Sequence, residues 1–156
     1  MKHVHCIAAD SLLCLNTWAT RALIADINRR FHQAGLRLTM EQWRALSFLA
    51  ERDGLTQNDL AALLLQEKTS VSRLLTGMQH RGYVVRAPYD RDGRCNRLVI
   101  TEAGLEACRL GGVLASQALR LACRGVPRED METCLRVLVQ VIRNVRGDGL
   151  VAEIPG

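Results

Sequence analysis

The polar side chains best suited to chemistry lie on one face of a short segment, residues 68–80. On a helical wheel of about 100° per residue, the apolar residues of this segment fall together on the opposite face. An ordinary solvated helix face would carry several Glu and Lys residues, whereas this one carries Ser, Thr and Gly with a single Arg. Small hydroxyls around one guanidinium suit entry into the major groove of DNA. The predicted DNA contacts of this helix are Lys68, Thr69, Ser70, Ser72, Arg73 and Thr76.

A second set of basic side chains lies in the run Asp90-Arg91-Asp92-Gly93-Arg94. Its Asp and Gly residues favour a tight turn, which would place Arg91 and Arg94 at the tip of a loop. An Arg inserted into a narrow minor groove is attracted by the enhanced negative potential there. The alternative is a turn whose Arg residues only confer solubility. We therefore predict that Arg91 and Arg94 contact DNA, and that Asp92 orients a neighbouring Arg.

The distribution of charge agrees with a nucleic-acid partner. The net charge is +5 at neutral pH, and residues 67–97 hold seven cations against three anions. Six of these seven cations are Arg, whose planar fork matches phosphates and guanine edges better than Lys does. A solvated surface could carry the same charges, so the location of the charge supports DNA binding without proving it.

The elements that must position these side chains follow from hydrophobic periodicity and capping signals. Thr39 to Gln42 and Thr56 to Asp59 form two N-cap signals, and Pro127 suits the first position of a last helix. Two stretches after Gly82 alternate or are β-branched, and they flank a turn, as in a β-hairpin. Two short helices before a hairpin describe a winged helix-turn-helix. The predicted helices span about 10–34, 40–53, 60–65, 68–80, 101–124 and 127–147, and the predicted strands span 83–86 and 96–100.

Composition limits the class of protein further. The chain has 156 residues and 48% hydrophobic residues with 4% aromatic residues, which predicts one compact domain with a mainly aliphatic core and helical extensions. No apolar run reaches the roughly 20 residues of a membrane helix, and the N-terminus lacks the pattern of a signal peptide. A cytoplasmic protein without a membrane partner is expected.

The six cysteines form no C-x-x-C pair and are interpreted as free thiols that act as small hydrophobic residues. His3, His5 and Cys6 form a soft N-terminal cluster that could bind a metal ion, but a fourth ligand is not evident. No metal and no cofactor are therefore expected.

Over roughly residues 10–145 the sequence resembles the MarR family of bacterial transcriptional regulators. The helix-turn-helix resemblance lies in residues 55–61 and 67–74. The most specific part is the wing signature, in which an Asp-x-Arg pattern precedes a strand and a Thr-x-x-Gly helix start. That signature comprises Val84-Val85-Arg86, Pro88, Asp90, Asp92, Gly93 and Arg94, followed by Leu98-Val99-Ile100-Thr101-Glu102-Ala103-Gly104.

The resemblance implies a mainly α fold with a small β-hairpin wing, that is, a winged helix-turn-helix plus a helical dimerisation region. It implies a homodimer that binds a near-palindromic operator on double-stranded DNA, with half-sites about one turn apart. Arg94 would probe the minor groove, and Ser70, Ser72 and Arg73 would approach bases and phosphates. The implied organisation is an N-terminal dimerisation helix (1–36), a DNA-binding lobe (37–101), C-terminal dimerisation helices (102–147) and a flexible tail (148–156).

Most relatives are repressors released by a small-molecule effector, commonly a phenolic or aromatic acid, which binds between the dimer helices and the winged lobe. The candidate lining residues are Trp18, Arg21, Trp43 and Arg44, although both Trp residues are of a type that is more often plain core. A hydroperoxide-sensing branch of the family keeps a reactive Cys near the position of Cys14. The tyrosines that support its thiolate are missing, which favours a structural Cys14.

Two other classes of function are less consistent with the sequence. A winged helix that binds only proteins needs neither a basic wing nor a small polar recognition face, and this chain has both. An enzyme would need a catalytic constellation, and His32 and His80 are isolated, without an evident orienting carboxylate. No phosphate-binding glycine loop or Ser/His/Asp set is present, so a non-enzymatic protein is expected.

Overall fold

The computed structural model describes residues 8–88 and 96–147. Within these ranges the chain forms six helices and one two-stranded antiparallel sheet, the arrangement expected for a mainly α protein with a β-hairpin wing. The elements are α1 (Ala8–Gln33), α2 (Met40–Glu51), α3 (Gln57–Leu64), α4 (Lys68–His80), β1 (Val84–Pro88), β2 (Asn96–Ile100), α5 (Glu102–Ala122) and α6 (Arg128–Arg146).

Both predicted N-caps are confirmed as complete capping boxes. Thr39 Oγ1 accepts from the Gln42 N–H at 3.2 Å, and Gln42 Oε1 accepts from the Thr39 N–H at 3.1 Å. Thr56 and Asp59 make the same exchange at the start of α3, at 3.3 and 2.8 Å. Each exchange satisfies backbone donors that have no partner within the helix, which fixes where α2 and α3 begin.

Three predicted boundaries were wrong. Helix α3 begins at Gln57 rather than Leu60, because the Thr56 cap makes the three polar residues after it the first helical turn. Strand β1 continues beyond Arg86 to Pro88, which pairs with Asn96 at the edge of the hairpin. Pro127 precedes α6 as its N-cap, with extended backbone (ψ 145°), and its carbonyl accepts the Met131 N–H at 3.1 Å.

One hydrophobic core joins the second half of α1 to α2, α3, α4, the hairpin and α5. Gly35, at φ +71°, ends α1 in a left-handed conformation that other residues rarely adopt. The Leu36 N–H then bonds back to the Phe31 carbonyl at 2.9 Å, which turns the chain toward α2. The largest fully buried side chains are those of Phe31, Ile27, Leu46, Leu60, Leu75, Met78, Val71 and Val84.

The close approach of α2 to α5 depends on glycine. The indole of Trp43 lies against Gly111, and a Cβ at Gly111 would be 2.5 Å from Trp43 Cδ1. The Trp43 Nε1–H donates to the Cys108 carbonyl at 3.0 Å. The missing side chain therefore lets a large aromatic residue of the winged lobe dock directly on the backbone of α5.

Helix α6 differs from the others because none of its residues is buried. Several of its apolar side chains, and several in the first half of α1, are exposed in the single chain. Within the part of the chain that the structure describes, no helix is long and apolar enough to span a bilayer. The exposed large apolar side chains of α1 and α6 are Leu12, Leu13, Leu15, Trp18, Leu135, Val137, Val141 and Val145.

Candidate nucleic-acid interface

Helices α3 and α4 are joined by a tight turn, as a helix-turn-helix requires. Leu65 follows α3 in a left-handed conformation (φ 55°), and its N–H bonds back to α3 carbonyls. Glu67 in extended conformation then precedes α4. Gln57, at the start of α3, donates through Nε2 to the Lys68 carbonyl at 3.4 Å. The beginnings of both helices are thereby held together at one end of the motif.

The two faces of α4 divide as the sequence predicts. Val71, Leu75 and Met78 are completely buried, whereas Leu74 is only half-buried. Of the predicted contact residues, Ser72 is half-buried and the remaining five are exposed. Those exposed side chains are Lys68, Thr69, Ser70, Arg73 and Thr76.

Not all of these polar groups are equally available for a ligand. The Thr76 Oγ1–H donates to the Ser72 carbonyl one turn earlier at 2.9 Å, so its proton is used within the helix. Its oxygen lone pairs and its methyl group remain on the surface. Lys68, Ser70 and Arg73 lie toward the N-terminal half of α4, the part of a recognition helix that meets base edges.

The hairpin base is attached to the helix-turn-helix by backbone hydrogen bonds. Strands β1 and β2 pair from Val84 opposite Ile100 to Pro88 opposite Asn96. The Leu98 N–H donates to the Leu55 carbonyl at 2.7 Å, and Thr56 forms a bridge with Arg97. Arg91 and Arg94, the predicted wing contacts, lie outside the described residues.

Arg86 was not among the residues predicted to contact DNA. Its guanidinium donates to Gln57 Oε1 on α3 at 2.9 Å and, through Nε, to Gln79 Oε1 on α4 at 3.4 Å. One side chain therefore links β1 to both helices of the motif. Sequence gives a basic residue in the wing signature at this position but not the two glutamines, which lie seven and 29 residues away.

The candidate effector residues do not form one group. Trp43 and Arg44 line a cavity of about 210 Å³ on α2, together with Met40, Ser47, Phe48 and Glu51. Trp18 and Arg21 are exposed on α1 and do not line that cavity. The alternative interpretation of Trp18 as core was wrong for the single chain, because 67% of its surface is exposed.

Comparisons with known proteins agree with this architecture. The model of the MarR family matches residues 35–94, a segment that contains α2, α3, α4 and strand β1. The fold also matches the structure of an S. aureus MepR–DNA complex with a TM-score of 0.75 at 21% identity, covering 85% of this chain and 96% of that one. Over this segment, residues 35–94, the chain is similar to the MarR family.

Similarity to curated proteins extends beyond the matched segment. This chain is 26% identical over 128 residues to the HTH-type transcriptional regulator YybA of Bacillus subtilis, covering 82% of this chain and 84% of YybA. It is 25% identical to the transcriptional repressor MprA of Escherichia coli, covering 84% and 76%. These relatives are transcriptional regulators rather than enzymes.

The cysteines within the described residues occupy different environments. Cys14 is exposed on α1. Tyr83, the one tyrosine among the described residues, directly precedes strand β1 of the hairpin and is not on the helix that carries Cys14. Burial raises the pKa of the Cys108 thiol, whose Sγ lies 3.7 Å from Ser47 Oγ, and this favours the neutral thiol. Within residues 8–88 and 96–147 no group of three metal-ligating side chains occurs. The cluster His3, His5 and Cys6 lies outside the described residues.

Proposed function

We propose that this regulator is a homodimeric repressor that binds a near-palindromic operator and leaves it when an aromatic acid occupies the α2 cavity. The observation that carries the DNA-binding part is the outward face of α4. It presents small hydroxyls and Arg73 to solvent from a helix whose other face is fixed in the core. Repression is supported by the similarity of this chain to MprA, a transcriptional repressor of Escherichia coli.

The proposed contacts follow from the chemistry of each side chain. Arg73 has the fork for a guanine edge, and Thr69, Ser70, Ser72 and Thr76 are short enough to approach bases or phosphates. Lys68, at the N-terminus of α4, suits a phosphate contact because it acts as a point charge. In the wing, Arg94 is proposed to enter the minor groove with Arg91 beside it.

Dimerisation is supported by the apolar surface that the single chain leaves in water. Every residue of α6 is at least partly exposed, and Leu135 and Val145 are 55% and 74% exposed. Full burial of a Leu or Val side chain contributes about 1.5–3 kcal/mol, so a helix with this stripe is stabilised by a partner surface. A second copy offers the same stripe, which suits a two-fold interface built from α1, α5 and α6.

The α2 cavity is proposed as the effector site because it combines an apolar wall with a cation. Trp43 and Phe48 provide flat surfaces for a ring, and Arg44 provides a guanidinium for a carboxylate. Trp43 also touches α5 through Gly111, so a ligand that displaces its indole would alter the contact between the winged lobe and α5. That contact is the proposed route from effector to DNA.

Operator geometry provides the test. Two half-sites whose centres are one helical turn (about 10 bp) apart should bind two chains cooperatively, because both winged lobes then face the same side of the duplex. Insertion of about half a turn between them should abolish this cooperativity while leaving each half-site intact. Analytical ultracentrifugation of the complexes would give the stoichiometry. One chain per duplex, or equal binding at both spacings, would refute the proposal that a homodimer binds two half-sites.

A further inference from the structure

A second cleft lies between α1 and the C-terminal end of α5, away from the α2 cavity. It has a volume of about 430 Å³ and shares no lining residue with that cavity. Its lining combines basic residues from both helices with one amide and one apolar side chain. The lining residues are Arg30, Gln117, Arg120, Leu121 and Arg124.

The positive charge of the cleft is only partly neutralised by the protein. Arg30 donates through Nε to Asp26 Oδ2 at 2.6 Å, and Asp26 is shared with Arg29, so one carboxylate serves two guanidiniums. Among the described residues, neither Arg120 nor Arg124 pairs with a carboxylate. Two arginines therefore face the cleft without a counter-charge from the part of the chain that the structure describes.

Stabilisation of helix ends does not account for all of these cations. Arg30 is in the last turn of α1 and Arg120 is in the last turn of α5, where a cation interacts favourably with the helix dipole. Each C-terminus contributes about half a negative charge. The three lining guanidiniums, of Arg30, Arg120 and Arg124, still exceed the shared Asp26 carboxylate and the two half-charges, so a positive charge remains in the cleft.

We propose that this cleft binds a small organic polyanion, a molecule that carries two or more carboxylate or phosphate groups. The guanidinium forks of Arg120 and Arg124 match such oxyanions in pairs of parallel hydrogen bonds. Gln117 adds an amide, and Leu121, half-exposed, adds an apolar wall for the carbon skeleton. With a volume of about 430 Å³, the cleft offers more room for a ligand than the α2 cavity of about 210 Å³.

The site is separate from the proposed aromatic-acid cavity, so the inference does not depend on that effector. The competing occupant is an acidic side chain of a second copy, because α1 and α5 also carry apolar surface for the proposed dimer. A protein carboxylate in the cleft would link Arg120 and Arg124 to dimer stability instead of to ligand binding. The experiment must therefore measure both.

Isothermal titration calorimetry of the full chain would use citrate and pyrophosphate as probes, at constant ionic strength, with acetate as the singly charged control. The wild type should bind one probe per chain saturably. The double variant Arg120→Gln/Arg124→Gln should bind about tenfold more weakly or worse, because two charge-assisted contacts are removed. Arg109→Gln, which removes an exposed arginine of α5 outside the cleft, should bind like the wild type. Tighter binding of citrate would indicate a polycarboxylate ligand, and tighter binding of pyrophosphate a phosphate ester.

The proposal is overturned if neither probe binds saturably, or if the double variant and the wild type bind equally. It is also overturned if the wild type binds neither probe and the double variant dissociates on size-exclusion chromatography. In that case an acidic side chain of the second copy fills the cleft. Circular dichroism would show that the variants are folded. Operator binding is measured separately, so a chain that binds operator DNA but neither probe contradicts this inference alone.

Discussion

Arg86 donates a hydrogen bond to Gln57 Oε1 at 2.9 Å and so joins the wing to the first residue of α3. Gln57 in turn donates to the carbonyl of Lys68 at the start of α4. This short chain of contacts connects β1, α3 and α4 through the side chains of Arg86 and Gln57. It assigns Arg86 a positioning role, in which it acts on α4 through Gln57 and through its own hydrogen bond to Gln79.

Arg86→Ala and Gln57→Ala should each weaken operator binding severalfold while changing non-specific DNA binding little. If Arg86 acts through Gln57, the double variant should lose less than the sum of both single losses, with a coupling of about 0.5 kcal/mol or more. Anisotropy titrations of the four proteins on operator and random DNA would measure this. A loss confined to Arg86→Ala, with a salt slope lower by about one, would instead indicate a direct phosphate contact.

Gly111→Ala should destabilise the fold, since its Cβ would lie 2.5 Å from the Trp43 ring. We expect a loss of about 1–3 kcal/mol in the free energy of unfolding, as for other overpacked cores. Gly112→Ala is the matched control, because its Cβ would only reach ordinary contact at 3.9 Å. That change should stabilise the chain by about 0.5–1 kcal/mol through helix propensity. Equal effects of the two substitutions in urea unfolding would show that Trp43 does not dock on Gly111 as described.

Asp59 should contribute to the free energy of unfolding in a way that depends on pH. Hydrogen bonds from the Thr56 side chain and backbone hold the pKa of the Asp59 carboxyl below its usual value. A lowered pKa in the folded state means that the contribution is present above the ordinary value near 3.8 and is lost as the pH falls through the folded pKa. Acid titrations of wild type and Asp59→Asn should therefore differ above that value and converge below the folded pKa. Parallel curves at all pH values would exclude this role of the cap.

The sequence predicted the order of elements because its signals are local. The Thr39 and Thr56 caps, the apolar face of Val71, Leu75 and Met78, and the β-branched strands all act within a few residues. Contacts between distant parts of the chain were missed. Nothing local to Arg86 indicates Gln57, and nothing local to Trp43 indicates that Gly111 receives its ring. The exposure of Trp18 could not be predicted either, because apolar periodicity does not distinguish a buried helix face from an apolar face that is exposed in the single chain.

The most direct test of the account is fluorescence anisotropy with the labelled intergenic DNA beside the regulator's own gene. Wild type, Arg73→Ala, Arg94→Ala and the control Arg109→Ala would be titrated at low and physiological salt with non-specific competitor. We predict competitor-resistant binding by the wild type and by Arg109→Ala, with losses of about 1–3 kcal/mol for the other two. Binding that disappears with competitor, or equal binding by all four proteins, would contradict recognition through α4 and the wing.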